Sequence, residues 1–153
     1  MAEQPSRRRV RKVVAYVVRN RHLLVFIHDD VALEITGVQV PAGTIEGGES
    51  PETAAVREVW EETGVATRVV RALGTETYDV WPSKPEVHER YFFQLEPVDD
   101  DLPDRWRAGE DHPSDGGSAE RWTCWWAPLE NAHVLSAGFG ARLGQLEAEV
   151  PSS

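Results

Sequence analysis

The order of elements along this 153-residue chain predicts an α+β (mixed α/β) domain. Three observations carry that reading. Two β-branched, aromatic runs near the start are separated by a short polar break, as in a hairpin. One capped, amphipathic helix follows a glycine-rich turn. Further strand-like runs fill the second half, with a second helical stretch at the end. The length suits one domain with a core that needs no staples. The division expected is a basic arm over residues 1–12 and one domain over 13–150.

The elements follow in order. Val13 to Val18 and Leu23 to Ile27 read as a hairpin around Arg19-Asn20-Arg21, although that turn lacks the favoured Gly. His22 and His28 flank the second strand and are expected at the surface. A polar loop over residues 29–36 leads to a brief strand, Gly37 to Val40, and then to Pro41-Ala42. After the helix, Thr67 to Leu73 and Thr75 to Val80 are extended, and the Pro-rich WPSKPE cannot be an interior strand. Val87 to Leu95 is a clear strand. Residues 96–121 read as a long polar insertion, expected to be mobile and near the site. Trp122 to Trp126 is a strand with Trp122, Cys124 and Trp126 on one face and Trp125 on the other. Leu129 to His133 starts a short helix, and Ala141 to Val150 forms a terminal one.

Composition excludes several classes. Cys124 is the single cysteine, so no internal disulfide framework exists, which fits a reducing cytoplasm. No apolar run approaches the ~20 residues of a membrane helix, and MAEQPSRRRVRK lacks the apolar core of a signal peptide. The formal net charge is −10, although residues 1–12 are basic. Such a surface disfavours nucleic acid as a partner. The basic arm is expected to be a frayed terminus leading into a strand.

The informative stretch is GTIEGGESPETAAVREVWEETGV, residues 43–65. Gly43, Gly47 and Gly48 form the turn, Ser50 the N-cap and Pro51 the first helical position. The helix is expected to reach Thr63 and stop at Gly64. On a wheel, Glu58, Glu61 and Glu62 share a wedge of about 100°. Ala54 and Ala55 fall on the same side, leaving room beside the carboxylates. Val56, Val59, Trp60 and Thr63 make the stripe expected to enter the core. Clustered carboxylates repel each other unless a cation sits among them. Hard oxygen ligands of this kind suit Mg²⁺ or Mn²⁺.

This stretch resembles the Nudix box. The pattern is Gly, five residues, Glu, seven residues, Arg-Glu, an aliphatic residue, any residue, Glu-Glu, any residue, Gly and an aliphatic residue. Gly43, Glu49, Arg57, Glu58, Val59, Glu61, Glu62, Gly64 and Val65 fill every fixed position. The resemblance implies the Nudix fold, a mixed β-sheet sandwiched between helices, with the box as a loop-helix-loop. By similarity, Glu61 and Glu62 are the principal metal ligands. Glu58 is a further ligand or the base, and Arg57 orients the carboxylates. Glu49 supports the loop and sometimes the metal, and the carbonyl of Ala42 is a backbone ligand. Glu110, Asp111 and Glu120 are the candidates for an extra acid outside the box, and Tyr78 and Trp81 for contact with a base.

The activity implied is divalent-metal-dependent hydrolysis of the pyrophosphate in a nucleoside diphosphate linked to another group. ADP-ribose or a nucleotide sugar, a dinucleoside polyphosphate and a nucleoside triphosphate all stay open as substrates. VPAGTIEGGE resembles the sugar-nucleotide members, whereas Pro82 lies slightly beyond the spacing those members use. The alternatives are a nucleotide-sensing module without catalysis, which typically loses box carboxylates that this chain keeps, and RNA-end processing. The expected partner is a nucleotide, and a homodimer stays open.

Overall fold

A computed structural model describes residues 6–29, 37–110, 120–134, 142 and 146, with backbone alone for Glu110, Glu120 and residues 132–134. The strands are β1 (Arg8–Arg19), β2 (His22–His28), β3 (Ala42–Thr44), β4 (Thr67–Asp79), β5 (Glu86–Pro97), β6 (Arg105–Glu110) and β7 (Glu120–Pro128). Helix α1 spans Pro51–Thr63, and a 3₁₀ helix covers Leu129–Val134.

The strands form one mixed seven-stranded sheet in the order β4-β5-β1-β2-β7-β6, with β3 paired to β1 off that path. β1 and β5 are parallel, and the other paired strands run antiparallel. The β1–β2 ladder is short: only Val18↔Leu23 and Arg19↔His22 pair. Beyond them the strands part, β3 takes the free side of β1, and Phe26 bridges to Gln39. That split beside β1 is where the site forms.

The hairpin turn needs two positive-φ residues to match the strand twist. Asn20 (φ 50°) and Arg21 (φ 61°) supply them without glycine. Both faces of the sheet are buried, as alternation along β1 requires. Val13, Ala15 and Val17 join α1 residues Ala54, Ala55 and Val59 in one cluster. Val14, Tyr16 and Val18 pack on the other face with Phe92, Leu129 and Leu146.

Several expectations change. β1 begins at Arg8, so part of the basic segment lies in the sheet, paired with β5 from Arg8↔Glu86 onward. Residues 42–44 are strand, not turn. The two pieces after the helix are one strand, β4, with register shifts at Val69/Arg71 and Ala72/Gly74. The polar insertion is shorter than expected, because β5 runs to Pro97 and residues 105–110 are strand β6, paired with β7. Its alternation explains this: Arg105 and Arg107 are exposed, while Trp106 and Ala108 pack on the core. The α1 stripe is also rotated from expectation. Ala54 and Ala55 are buried in the core, and Trp60 is 57% exposed. The expected terminal helix lies outside the described residues, apart from Arg142 and Leu146.

Candidate active site

The site is assembled by α1 and the turn before it. Ser50 caps the helix with extended backbone (φ −75°, ψ 154°), its Oγ accepting from Thr53 N at 3.1 Å. Gly64, at φ 76°, ends it by donating its N–H to the Trp60 carbonyl. In the turn, Glu49 N donates to the Glu46 carbonyl at 3.0 Å and Glu46 N donates to Glu49 Oε1 at 3.1 Å.

Arg57 is the hub. Its Nε and Nη2 grip Glu49 in a two-pronged pair, at 2.7 and 2.9 Å. Nη1 reaches Glu58 Oε1 at 2.8 Å and Glu61 Oε2 at 3.1 Å. Nη2 also donates to the Thr44 carbonyl at 3.1 Å, tying helix to turn. The hydrogen bonds from Arg57, then that from Glu46 N, hold the Glu49 carboxyl down to about 2.

Glu58 and Glu62 behave in the opposite way. Burial raises Glu58, although Arg57 opposes it. Burial, followed by the charge of Glu58, pushes Glu62 well above the usual carboxylate range. Ala42 N donates to Glu62 Oε2 at 3.1 Å. Glu58 lies directly against Gly43: a Cβ there would meet its carboxyl carbon at 2.1 Å. Only a residue without a side chain fits over it.

The C-terminal carbonyls of α1 have unusual partners. Trp106 Nε1 donates to the Thr63 carbonyl at 2.8 Å, and Trp122 Nε1 donates to the Glu62 carbonyl. These groups are orphaned at any helix end. Here β6 and β7 satisfy them and so fix where the carboxylates stand. The sequence reading missed this role, because nothing local marks a tryptophan as a helix cap.

Two cavities meet at this point. The larger, about 910 Å³, has room for a nucleotide. Glu58, Glu61 and Glu62 of α1 line it together with Arg107, Ala108 and Gly109 of β6. Phe26, His28 and Trp122 give it aromatic lining, their rings packed edge-on or tilted at 5.4 to 6.1 Å. The smaller, about 240 Å³, is lined by Lys12, His88, Arg90, the Gly43 segment and Glu62. Phe26, Gln39 and Glu62 belong to both.

The structure thus gathers Ala42, Glu49, Arg57, Glu58, Glu61 and Glu62. Tyr78 and Trp81 line neither cavity; the Arg90 guanidinium lies over Tyr78 at 4.8 Å, and Arg7 lies over Trp81 at 5.6 Å. Glu110 and Glu120 pair across the β6–β7 ladder, with only their backbones described, and Asp111 lies outside the described residues. Among the described residues, no three acidic, histidine or cysteine side chains share a common centre at ligating distance. Arg57 stands between them instead. The donor chemistry nevertheless fits a hard divalent cation: two carboxylates whose ionised forms are penalised by burial lie beside a third on one helix.

The family profile of the NUDIX domain matches residues 8–145. The chain belongs to the Nudix family. Among curated proteins it is 38% identical over 76 residues to an RNA pyrophosphohydrolase of Cereibacter sphaeroides, covering 47% of each chain. It is 35% identical over 80 residues to one of Roseobacter denitrificans, covering 52% of this chain and 49% of the relative. The chain thus spans about half the length of the curated relatives it matches. Among solved structures, a MutT NUDIX hydrolase from Burkholderia pseudomallei superposes with a TM-score of 0.63 at 17% identity, over 92% of this chain and 99% of that one. A NUDIX hydrolase from Nitrosomonas europaea gives 0.62 at 19% identity, over 90% and 87%. These likenesses establish the Nudix fold. No helix among the described residues is long and apolar enough to cross a membrane.

Proposed function

We propose that this chain hydrolyses the pyrophosphate bond of a nucleoside diphosphate linked to another group, with Mg²⁺ or Mn²⁺ as cofactor. The observation that carries this is the placement of Glu58, Glu61 and Glu62 along one side of a nucleotide-sized groove. Glu61 and Glu62 would hold the cation, with Glu58 and the Ala42 carbonyl completing the set. When bound, such a cation supplies charge neutralisation at the diphosphate oxygens.

The chain's own residues do the rest. Arg57 Nη1 holds Glu58 and Glu61 beside the groove, while Nε and Nη2 grip Glu49 and hold the turn in place. Arg57 therefore works as a positioning residue. Glu58, if it does not ligate the cation, is the box carboxylate able to take a proton from an attacking water. The rings of Phe26, His28 and Trp122 offer stacking surface to a base. Tyr78 and Trp81 would touch one only if the substrate extends past Arg90.

A second reading, removal of pyrophosphate from an RNA end, is favoured by the names of the curated relatives and by the cationic lining of the smaller cavity. A substrate panel separates the two: ADP-ribose, UDP-glucose, dinucleoside tetraphosphate, nucleoside triphosphates and 5′-triphosphorylated RNA, each with Mg²⁺ or Mn²⁺. Product masses locate the cleaved bond. Tight nucleotide binding with no turnover on any of them would favour the sensing module instead.

A further inference from the structure

Glu62 is held at both of its ends by residues distant in the chain. Its carboxylate accepts from Ala42 N at 3.1 Å, and its backbone carbonyl accepts from Trp122 Nε1 on β7. The next carbonyl, that of Thr63, accepts from Trp106 Nε1 on β6 at 2.8 Å. The two indoles do the same chemical work, since each supplies a donor that a helix end lacks. They differ in what else they touch. Trp106 packs against the core, 6.1 Å from Trp126, and lines neither of the two cavities. Trp122 lines the larger cavity together with Glu62.

Trp122 is also the inner member of the aromatic wall. It is 7% exposed, with the Phe26 ring at 5.8 Å and the His28 ring edge-on at 5.4 Å. His28 is its partner in the β2–β7 ladder and the more exposed of the two. Groups packed this closely pass a displacement or a restraint on to their neighbours. A ligand that rests on His28 and Phe26 therefore restricts the indole whose N–H holds the Glu62 carbonyl. Restricting it in advance lowers the cost of ordering Glu62 around a cation, and the two binding events then favour each other.

We propose that Trp122 is a positioning residue that couples the aromatic wall to the cation site. A nucleoside on the wall and a divalent cation at Glu62 each tighten the binding of the other. The link runs from the ring through the indole N–H to the Glu62 carbonyl and needs no phosphate. This rests on the reading of Glu62 as a cation ligand given above, and it holds whether or not a bond is then cleaved.

Calorimetric titration of the full chain with Mn²⁺ tests it, alone and with saturating adenosine or uridine. Neither probe carries a phosphate that could bridge to the ion. The parent should bind Mn²⁺ about fivefold more tightly with at least one of them present. That nucleoside should gain the same factor from Mn²⁺, as linkage requires. Trp122→Phe keeps a ring beside Phe26 and His28 but removes the donor, and its factor should fall to about one. Trp106→Phe removes the matching donor from Thr63 and should keep the factor of about five. A structural loss at the helix end alone would affect the two variants alike. If Trp122→Phe does not fold, the parent decides: the indole proton of the tryptophan in contact with His28 should exchange more slowly once the nucleoside is bound.

No binding of either nucleoside, or Mn²⁺ binding that ignores both, would overturn the coupling. So would a factor retained in Trp122→Phe or lost equally in Trp106→Phe, and so would indole exchange unchanged by ligand. No Mn²⁺ binding to the parent would overturn the cation reading and this inference with it. Coupled binding without turnover of any pyrophosphate in the substrate panel would defeat the hydrolase reading and leave the coupling standing.

Discussion

Helix α1 and strand β6 both line one groove and are specified in different ways. The cap, stop and side-chain braces of α1 are local, the Ser50 cap, the Gly64 stop, the Glu49 brace and the Arg57 hub, and only its last carbonyls reach out to β6 and β7. β6 has no such local code. Its ladder to β7 spans the residues between them, and its Trp106 reaches back to Thr63. The difference teaches where function is encoded. The side chains of the box acids are held mainly by near neighbours, above all Arg57. The β6 part of the lining is held by distant pairing with β7.

The largest test of that contrast is activity. Glu61→Gln and Glu62→Gln each remove an anionic ligand with little change in shape. Each should lower turnover about 10²-fold or more at saturating Mg²⁺. Arg107→Ala on the β6 side, at an exposed pair with Asp29, should change it less than tenfold. Similar losses on the two sides, read in the same product assay, would break the comparison.

Next comes the turn. Gly43→Ala would place a methyl group 2.1 Å from the Glu58 carboxyl carbon and displace that group. We expect roughly tenfold slower turnover, because small misplacements of reacting groups are costly. Gly47→Ala meets nothing within 4 Å and should stay within twofold. Equal behaviour of the two variants would mean that Glu58 need not sit where it does.

How much of this was legible in the sequence follows the same division. The cap, the helix limits, the Gly64 stop and the clustering of the box acids could all be read from residues 43–65, because each depends on atoms a few positions away. The α+β class followed from the order of strands and helices, and the mixed sheet from the resemblance carried by the box. The indole donors to the Thr63 and Glu62 carbonyls could not be read, since they cross 43 and 60 residues. β6 was missed because one short R-W-R-A alternation inside an acidic, Pro-rich stretch gives a weak periodic signal. The cationic pair Lys12–Arg90 depends on the parallel β1–β5 register, which no local pattern announces.

Stability effects are smaller. Trp106→Phe keeps most of the ring and removes the donor to the Thr63 carbonyl. It should destabilise by about 1–2 kcal/mol, read as a shift in denaturation midpoint. No shift would mean that the ladder alone anchors β6 against α1.

Glu62→Gln should act with the opposite sign on stability. The folded-state pKa of Glu62 is raised, so the folded chain holds its proton to higher pH than the unfolded chain does. Stability is therefore lost as pH rises from the ordinary value of 4.5 through the folded value. Gln cannot titrate and still accepts from Ala42 N. In chelator, the variant should melt above the parent at pH 8, and the two should converge near pH 4. A variant that melts lower at pH 8 would mean that the ionised carboxylate helps to hold the fold.

The smallest effect is expected at Trp60. A wheel that centres the core on Val56, Val59 and Thr63 sweeps Trp60 into the stripe. The structure moves the buried centre to Ala54, Ala55 and Val59 and leaves Trp60 57% exposed. The reason is steric: α1 lies close against the sheet, and small side chains at 54 and 55 permit that approach where an indole would not. Trp60→Ala should therefore change stability by no more than about 0.5 kcal/mol, a melting shift of about 2 °C or less for a chain of this size. Val59→Ala, at a fully buried position, should shift it several-fold more. Trp60 also borders the larger cavity. A nucleotide that stacks on it would show a raised KM in Trp60→Ala with an unchanged melt. A large melting shift would instead place the indole back in the core and return α1 to the orientation its apolar stripe first suggested.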